Sequence, residues 1–377
     1  RVFSDIETLP YSPILTSYYA GGELDYEECF PWSQAEVDDL GLDIVREGPV
    51  IKLDTKDHLV YTSQSSYPYS KCVIASGSVP TPVGFPRDCG YAPLMLRTMD
   101  DAERLKAAIT NSGCKRMLVS GTSMVSLKTV EACLNRDVEV TLVGIMDHVL
   151  DMNALPQAAE RFERGLITQG VTLKLANPIK AVDAIEDAAH PLGRRLEVTF
   201  ANGDVEGFDE IFVAHGMRNN LGFVEEGSLA MDRGIIVDEF MRSSDPDVYA
   251  AGDVVQATEL ISGEKRIVGI WKNAALQGAC AGRAIAAELA GDEPSRPCPE
   301  SLAMNTICVR ETLFISAGTI MLDDNSRVET EVDDTMTVVR IFETSSDGTE
   351  RLVGFNIACD TDEPGGDAYD LGAMLTM

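Results

Sequence analysis

The stretch KRMLVSGTSMVSLKTVEACLNRDVEVTLVG, residues 115–144, decides the fold class. Met117, Leu118 and Val119 form a short apolar run that stops at Ser120 and Gly121. Val125, Leu127, Val130 and Leu134 then recur at helical spacing, and residues 138–143 form a run rich in β-branched side chains. Strand, glycine turn, helix and strand within about 30 residues make a βαβ unit, the opening of a dinucleotide-binding domain. A helix at 158–169 and a strand at 171–175 extend it, and strands at 195–200 and 210–214 bracket the turn Asn202, Gly203 and Asp204. These elements place one domain at residues 99–218.

The flanks read differently. Residues 1–98 hold short strands at 50–53, 59–62 and 72–75 among many prolines, tyrosines and serines. A strand-turn-strand stretch at 234–253 precedes a long helix at 271–289, and Gly291 sits where a helix C-terminal glycine is expected. The tail, 298–377, reads as a small α+β unit with strands at 313–317, 337–342 and 352–358. The expected fold is therefore α/β. Residues 1–98 and 219–291 flank the 99–218 domain, 298–377 comes last, and the only candidate linker is 291–299.

At 377 residues the chain is long enough for two to three domains. Its 61 acidic and 31 basic residues leave a net charge of -30, which repels phosphate backbones and anionic lipid. Nucleic acid and membranes are thus excluded as expected partners. A basic partner protein can be steered by such a surface, although solubility or a high-salt habitat is the plainer explanation. No apolar run is long enough to span a bilayer, and no signal-peptide pattern opens the chain, so a cytoplasmic setting is expected. The nine cysteines, among them Cys29 and Cys89, include no C-x-x-C pair, so neither a metal site nor a dithiol redox pair is expected. The chain begins at Arg1 and runs directly into turn-rich sequence, which reads as a beginning lost.

Two places carry chemistry. Gly121, Ser123 and Ser126 occupy the turn of a G-x-G-x-x-G fingerprint, with serines at the second and third positions. A plain structural turn is an equal reading. The following strand ends in Gly144, where a nucleotide site places an acid for ribose hydroxyls, and no arginine follows closely to suit a 2′-phosphate. The second place is the apolar strand 248–251 ending on Gly252 and Asp253: a glycine admits a ligand to the backbone, and a carboxylate accepts from hydroxyls. The small-sided helix after it, from Trp271 through Asn273 and Gln277 to Gly282, presents a positive dipole end suited to an anionic ring. A tight turn before an alanine-rich packing helix explains the Gly-Asp pair equally well.

That stretch resembles the carboxyl-terminal FAD signature of the pyridine-nucleotide disulfide oxidoreductase superfamily. More narrowly it is similar to the branch of rubredoxin reductases, NADH oxidases and the flavin domain of assimilatory nitrite reductases. The resemblance covers nearly the whole chain in order. Leu9, Pro10, Tyr11 and Ser12 with Ser17, Tyr18 and Tyr19 resemble the flavin-side segment, and Asp5 falls where an acid binds the adenosine ribose. Ile74 to Pro80 resembles the A-T-G crossover, and Ala214-His215-Gly216 through Asn220 resembles A-x-G-x-x-P-N. Gly234 to Asp238, Arg242 to Ser244 and Tyr249 to Asp253 complete the order. The chain departs from the pattern in four ways. The first glycine turn and strand are absent, read as about 30 residues missing. Pro13 stands where many relatives carry an arginine near the flavin, and Lys128 replaces an acid. No cysteine lies between Ser12 and Gly22, which argues against cysteine redox chemistry.

The resemblance implies two Rossmann-like domains, a discontinuous FAD domain with an NAD(P) domain inserted, and a small carboxyl-terminal domain. It implies that Asp5, Tyr11, Ser12, Ala75, Ser76, Gly77, Gly252, Asp253, Trp271, Asn273 and Gln277 hold FAD. Gly121, Ser123, Ser126 and Gly216 line the NAD(P) site, and His215 is the one histidine placed near a cofactor, although a packed or solvated role is the favoured reading for it. It names no catalytic acid or base. The implied activity is FAD-dependent NAD(P)H oxidation with electrons passed to a second acceptor, either a redox partner protein or a small molecule. A homodimer is expected by analogy. Two alternatives remain: an electron-transfer subunit with a degenerate NAD site, and a non-catalytic interaction subunit without FAD.

Overall fold

The computed structural model describes residues 1–82, 90–345 and 348–360; Cys89 and the tail beyond residue 360 lie outside them. The chain forms two compact units, each gathered from separated segments. The first unites Arg1–Tyr11, Phe30–Val79 and Met217–Ala303. The second unites Ser12–Cys29, Pro80–Gly216 and the chain from Met304 onward.

Among the described residues the first unit has three parallel strand pairs; besides Ile235–Ile236 with Val255–Thr258, two carry the α/β character. Val2–Phe3 pairs with Ile44–Val45, and Cys72–Ile74 pairs with Val248–Ala250. A three-stranded antiparallel sheet (Lys52–Asp54, Leu59–Tyr61, Ser66–Pro68) lies between them in sequence. The helix Trp271–Ala290 buries one stripe, Asn273, Gln277, Cys280, Ala281 and Ala284, in a core shared with Ile74, Val248, Tyr249, Ala250 and Val254. Its small residues allow that close approach. Gly291 ends it at φ +82, with the Gly291 N–H donating to the Glu288 carbonyl and the Asp292 N–H to the Ala287 carbonyl. This is the stop expected from the sequence. Near the far end of the same helix, Glu288 accepts from Lys71 Nζ at 2.6 Å, Tyr249 Oη at 2.6 Å and the Arg242 guanidinium. Burial alone would raise its carboxyl, but these donors pull it down to about 2.

The second unit contains the βαβ unit read from residues 115–144. Its parallel sheet has the order Thr172–Lys174, Glu139–Val143, Arg116–Ser120, Glu210–Val213. The helices Met124–Leu134 and Pro156–Thr168 connect these strands. An antiparallel sheet, Ile179–Glu186, Arg194–Phe200 and Val205–Phe208, follows. Residues 12–29, read from the sequence as part of the flavin half, group with this unit, as do residues 80–98. The reason is visible in the helix Leu15–Gly21. Tyr19 is buried, its hydroxyl bonded to Glu103 and its ring 3.7 Å beneath Lys106 Nζ, both on the helix Met99–Thr110.

The carboxyl-terminal part, expected as α+β, is all strand over its described residues. Five antiparallel strands run in the order Met304–Val309, Thr312–Gly318, Glu350–Asp360, Met336–Thr344, Ser326–Val332. The helical layer comes from earlier in the chain, because Pro156–Thr168 packs on this sheet. Gly165 is the contact point: a Cβ there would lie 2.1 Å from Thr312 Oγ1. Asn356, fully buried, accepts from the Leu155 N–H at 2.7 Å and donates to the Asn153 carbonyl at 2.9 Å. Among the described residues no helix is long and apolar enough to cross a membrane, and no group of three metal-ligating side chains could hold an ion.

Candidate functional site

In the first unit, Cys72–Ile74 and Val248–Ala250 run parallel in register, with Ile74 opposite Ala250. Both strands therefore release the chain at the same edge, the edge at which open α/β sheets bind ligands. The Ala251 N–H donates to the Ile74 carbonyl at 3.0 Å and holds the two exits together. On one side Gly77 turns at φ +64, and its carbonyl accepts the Asn220 N–H at 2.9 Å. Ser76 Oγ donates to the Asn220 carbonyl at 2.6 Å. On the other side Gly252 turns at φ +83, and Asp253 Oδ2 accepts Ser78 Oγ at 2.7 Å. Gly269 passes beside this carboxylate: a Cβ there would stand 3.2 Å from Asp253 Oδ1. The helix Trp271–Ala290 starts here with no side-chain cap and no acid in its first turn, leaving its positive end open.

Ala75, Ser76, Gly77, Gly252, Asp253 and Trp271 thus gather at one edge, where the paired strands end and the helix begins. Asn273 and Gln277 also belong to it, but their side chains turn inward. Gln277 Oε1 accepts the Gly252 N–H at 2.8 Å, while its Nε2 donates to Ser301 Oγ at 3.2 Å. Asn273 Nδ2 donates to the Val268 and Leu302 carbonyls, both at 3.3 Å. They hold the glycine turn and the helix start in place. Tyr11 meets Phe30 edge-on at 6.3 Å, and Asp5 is exposed just after Val2–Phe3. Ser12 opens a segment of the second unit, its N–H on the Cys29 carbonyl at 3.0 Å. The sequence reading did not single out Ser78 or Gly269. Each acts through Asp253, which is 175 residues from Ser78 and across a loop from Gly269, and only their polar or small character marked them. These residues fit a flavin dinucleotide. They include a carboxylate of the kind that accepts from hydroxyls, two glycines at positive φ and an uncapped helix end of the kind that suits an electron-rich ring.

In the second unit, Gly121 makes the turn at φ +113 after Arg116–Ser120. A Cβ there would lie 2.4 Å from the Ala214 carbonyl oxygen, so this turn admits only glycine. Ser123 caps the helix Met124–Leu134 by position only; its Oγ lies 3.3 Å from Ser126 Oγ. Ser126 is fully buried and fills the place where a third glycine would let helix and strand close up. Gly216 has φ +90, and a Cβ there would meet Thr81 Oγ1 at 3.9 Å; His215 Nε2 is 2.8 Å from Ser120 Oγ. Burial lowers the imidazole pKa, which keeps that ring neutral near pH 7. Lys128 pairs with Glu131 and lies 4.0 Å over the Tyr18 ring, so its charge is neutralised within the unit. Cys29, the nearest thiol to the 12–22 segment, is buried, and burial pushes its pKa up.

Residues 2–278 match the family model described as pyridine nucleotide-disulphide oxidoreductase. The chain belongs to that family. Among pyridine nucleotide-disulphide oxidoreductases, the NADH oxidase of Methanocaldococcus jannaschii is 24% identical over 293 residues, 76% of this chain and 64% of that one. The rhodocoxin reductase of Rhodococcus erythropolis is 26% identical over 291 residues, 75% of this chain and 64% of that one. The chain therefore spans under two thirds of the length of these two relatives. In fold it is similar to an NAD-dependent persulfide reductase from A. fulgidus, with TM-score 0.81 at 22% identity over 100% of this chain and 71% of that one.

Proposed function

We propose that this chain works as an FAD-dependent NAD(P)H:acceptor oxidoreductase. The observation that carries the reading is the shared edge at the paired ends of Cys72–Ile74 and Val248–Ala250, where Gly252, Asp253 and the open end of the Trp271 helix converge. FAD, when bound, supplies the hydride-accepting ring and passes electrons onward. The chain's own residues do the rest. Asp253, steadied by Ser78, accepts hydrogen bonds from the sugar-chain hydroxyls. Gln277 fixes the Gly252 backbone so that a ligand can lie against it, and the helix end stabilises negative charge on the ring. Gly121, Ser123, Ser126 and Gly216 frame the nucleotide site. The second acceptor is a redox partner protein or a small molecule, and the expected assembly is a homodimer.

An anaerobic absorbance spectrum before and after addition of NADH or NADPH tests this. Flavin bands bleached by either nucleotide support the oxidoreductase. A colourless folded protein overturns it. Flavin bands that neither bleaches would favour a second reading, an electron-transfer subunit fed by a partner. The buried Ser126 in place of a glycine and the neutralised Lys128 are what speak for it.

A further inference from the structure

At the end of Glu139–Val143, where a dinucleotide fold places its ribose-binding acid, the chain has Gly144. The space a side chain would need there is taken. A Cβ on Gly144 would lie 2.7 Å from Thr122 Cγ2 and 3.1 Å from Leu175 Cδ2. Thr122, which fills that space, is itself buried, and its hydroxyl donates to Asp151 Oδ1 at 3.0 Å. Asp151 reaches the glycine turn because the chain folds back just before it. The buried Leu150 adopts φ +58, a conformation disfavoured for a branched side chain, and its N–H donates to the Thr122 carbonyl at 3.0 Å. The Asn153 and Ala154 N–H groups both donate to the Leu150 carbonyl, at 2.7 and 2.8 Å, and close the bend. A strained backbone and a buried hydroxyl together hold one carboxylate beside the Gly121 turn. Strain of this kind persists where the surroundings impose it, and often where it serves a site.

We propose that Asp151 is the carboxylate that takes the ribose hydroxyls of bound NADH, in place of the acid absent at Gly144, and that it makes this site select NADH over NADPH. Thr122 occupies one carboxylate oxygen and sets its direction, and the other accepts from the ribose. A 2′-phosphate would bring two negative charges against the same carboxylate. Ile145 and Met146, which follow Gly144, are 75% and 46% exposed and supply no cation to offset them. Asp151 lies outside the glycine fingerprint and seven residues beyond Gly144, so motif spacing does not reveal it.

This inference rests on the nucleotide-binding reading proposed above. The test is titration calorimetry of the full chain with NAD⁺ and NADP⁺, which bind without reducing a flavin, on wild type, Asp151→Asn and Thr122→Val. The wild type should bind NAD⁺ at least about tenfold more tightly than NADP⁺. Asp151→Asn should weaken NAD⁺ about tenfold, the weight of one hydrogen bond to a charged group, and strengthen NADP⁺. Thr122→Val, which keeps the shape and removes the hydroxyl, should weaken NAD⁺ by less. Circular dichroism confirms that each variant is folded. Unchanged NAD⁺ affinity in a folded Asp151→Asn overturns the role of Asp151 while leaving the oxidoreductase reading intact. Failure of the wild type to bind either nucleotide overturns both.

Discussion

At the residue scale, two glycines with similar backbone angles do different work. Gly121 and Gly252 both sit at positive φ, +113 and +83. A Cβ on Gly121 would strike the Ala214 carbonyl oxygen at 2.4 Å, whereas on Gly252 the nearest atom is Ala274 Cβ at an ordinary 3.4 Å. Gly121→Ala should therefore lower unfolding stability by about 2–4 kcal/mol, since the clash adds to the backbone strain. Gly252→Ala should cost only about 1 kcal/mol, the conformational penalty alone. Its larger effect should fall on cofactor retention, because the turn it would stiffen carries Asp253, the carboxylate proposed to meet the cofactor. Urea midpoints and the ratio of flavin to protein absorbance separate the two. Equal stability losses would contradict the geometry. Cys29 makes a third case: as a buried thiol with a raised pKa it should resist iodoacetamide in the folded protein, and rapid alkylation coupled to loss of turnover would refute its inert role.

At the scale of elements, the helix Trp271–Ala290 is anchored at both ends by polar side chains. Near its start Gln277 ties Gly252 to Ser301. Gln277→Leu keeps the volume but strips the Gly252 N–H of its partner, and should reduce flavin content more than it shifts the circular dichroism melt. The reverse ranking would make Gln277 a stability residue only. Near the helix's end, the Glu288 carboxyl has its folded pKa drawn down from 4.5 to about 2. A depressed folded pKa means that its stabilisation is complete above about pH 4.5 and is lost as the pH falls from there towards 2. Glu288→Gln should cost about 1–2 kcal/mol at pH 7, and the gap from wild type should close across that acid window. A gap that stays constant with pH would show that Glu288 acts by packing. This helix and its glycine stop were legible in the sequence because both signals are local: small residues at helical spacing, then Gly291. The strands of residues 115–144 were legible for the same reason. Val125 was read as part of the apolar face yet is 43% exposed, while Ser126 and Leu127 beside it in the same turn are fully buried. The helix Met99–Thr110 went unread, although Thr98 and Asp101 form a capping box before Met99, Ala102, Leu105 and Ile109. Of the candidate site, the glycines and Asp253 could be read from motif chemistry. The inward turn of Asn273 and Gln277 could not, because their partners at residues 301 and 302 are set by tertiary packing.

At the scale of the whole molecule, a net charge of -30 acts on every part of the surface. Raising ionic strength from about 0.05 to about 0.5 M shortens the Debye length roughly threefold and should raise the thermal midpoint by relieving self-repulsion. A fall in the midpoint would mean that specific surface ion pairs outweigh the net charge. The larger consequence follows from how the two units are gathered. The chain passes from one to the other after Tyr11, Cys29, Val79, Gly216 and Ala303. A ribosome releases this polypeptide in order, so the strand Cys72–Ile74 emerges long before Val248–Ala250, its parallel partner. Until residue 253 has left the exit tunnel the first unit lacks half of its ligand edge, and until residue 290 it lacks its complete long helix, while the βαβ core of the second can already close upon itself. Birth of the protein is therefore staged. The βαβ unit ripens first, and the nascent first unit must wait with unpaired strand edges, the state in which chaperones find their clients.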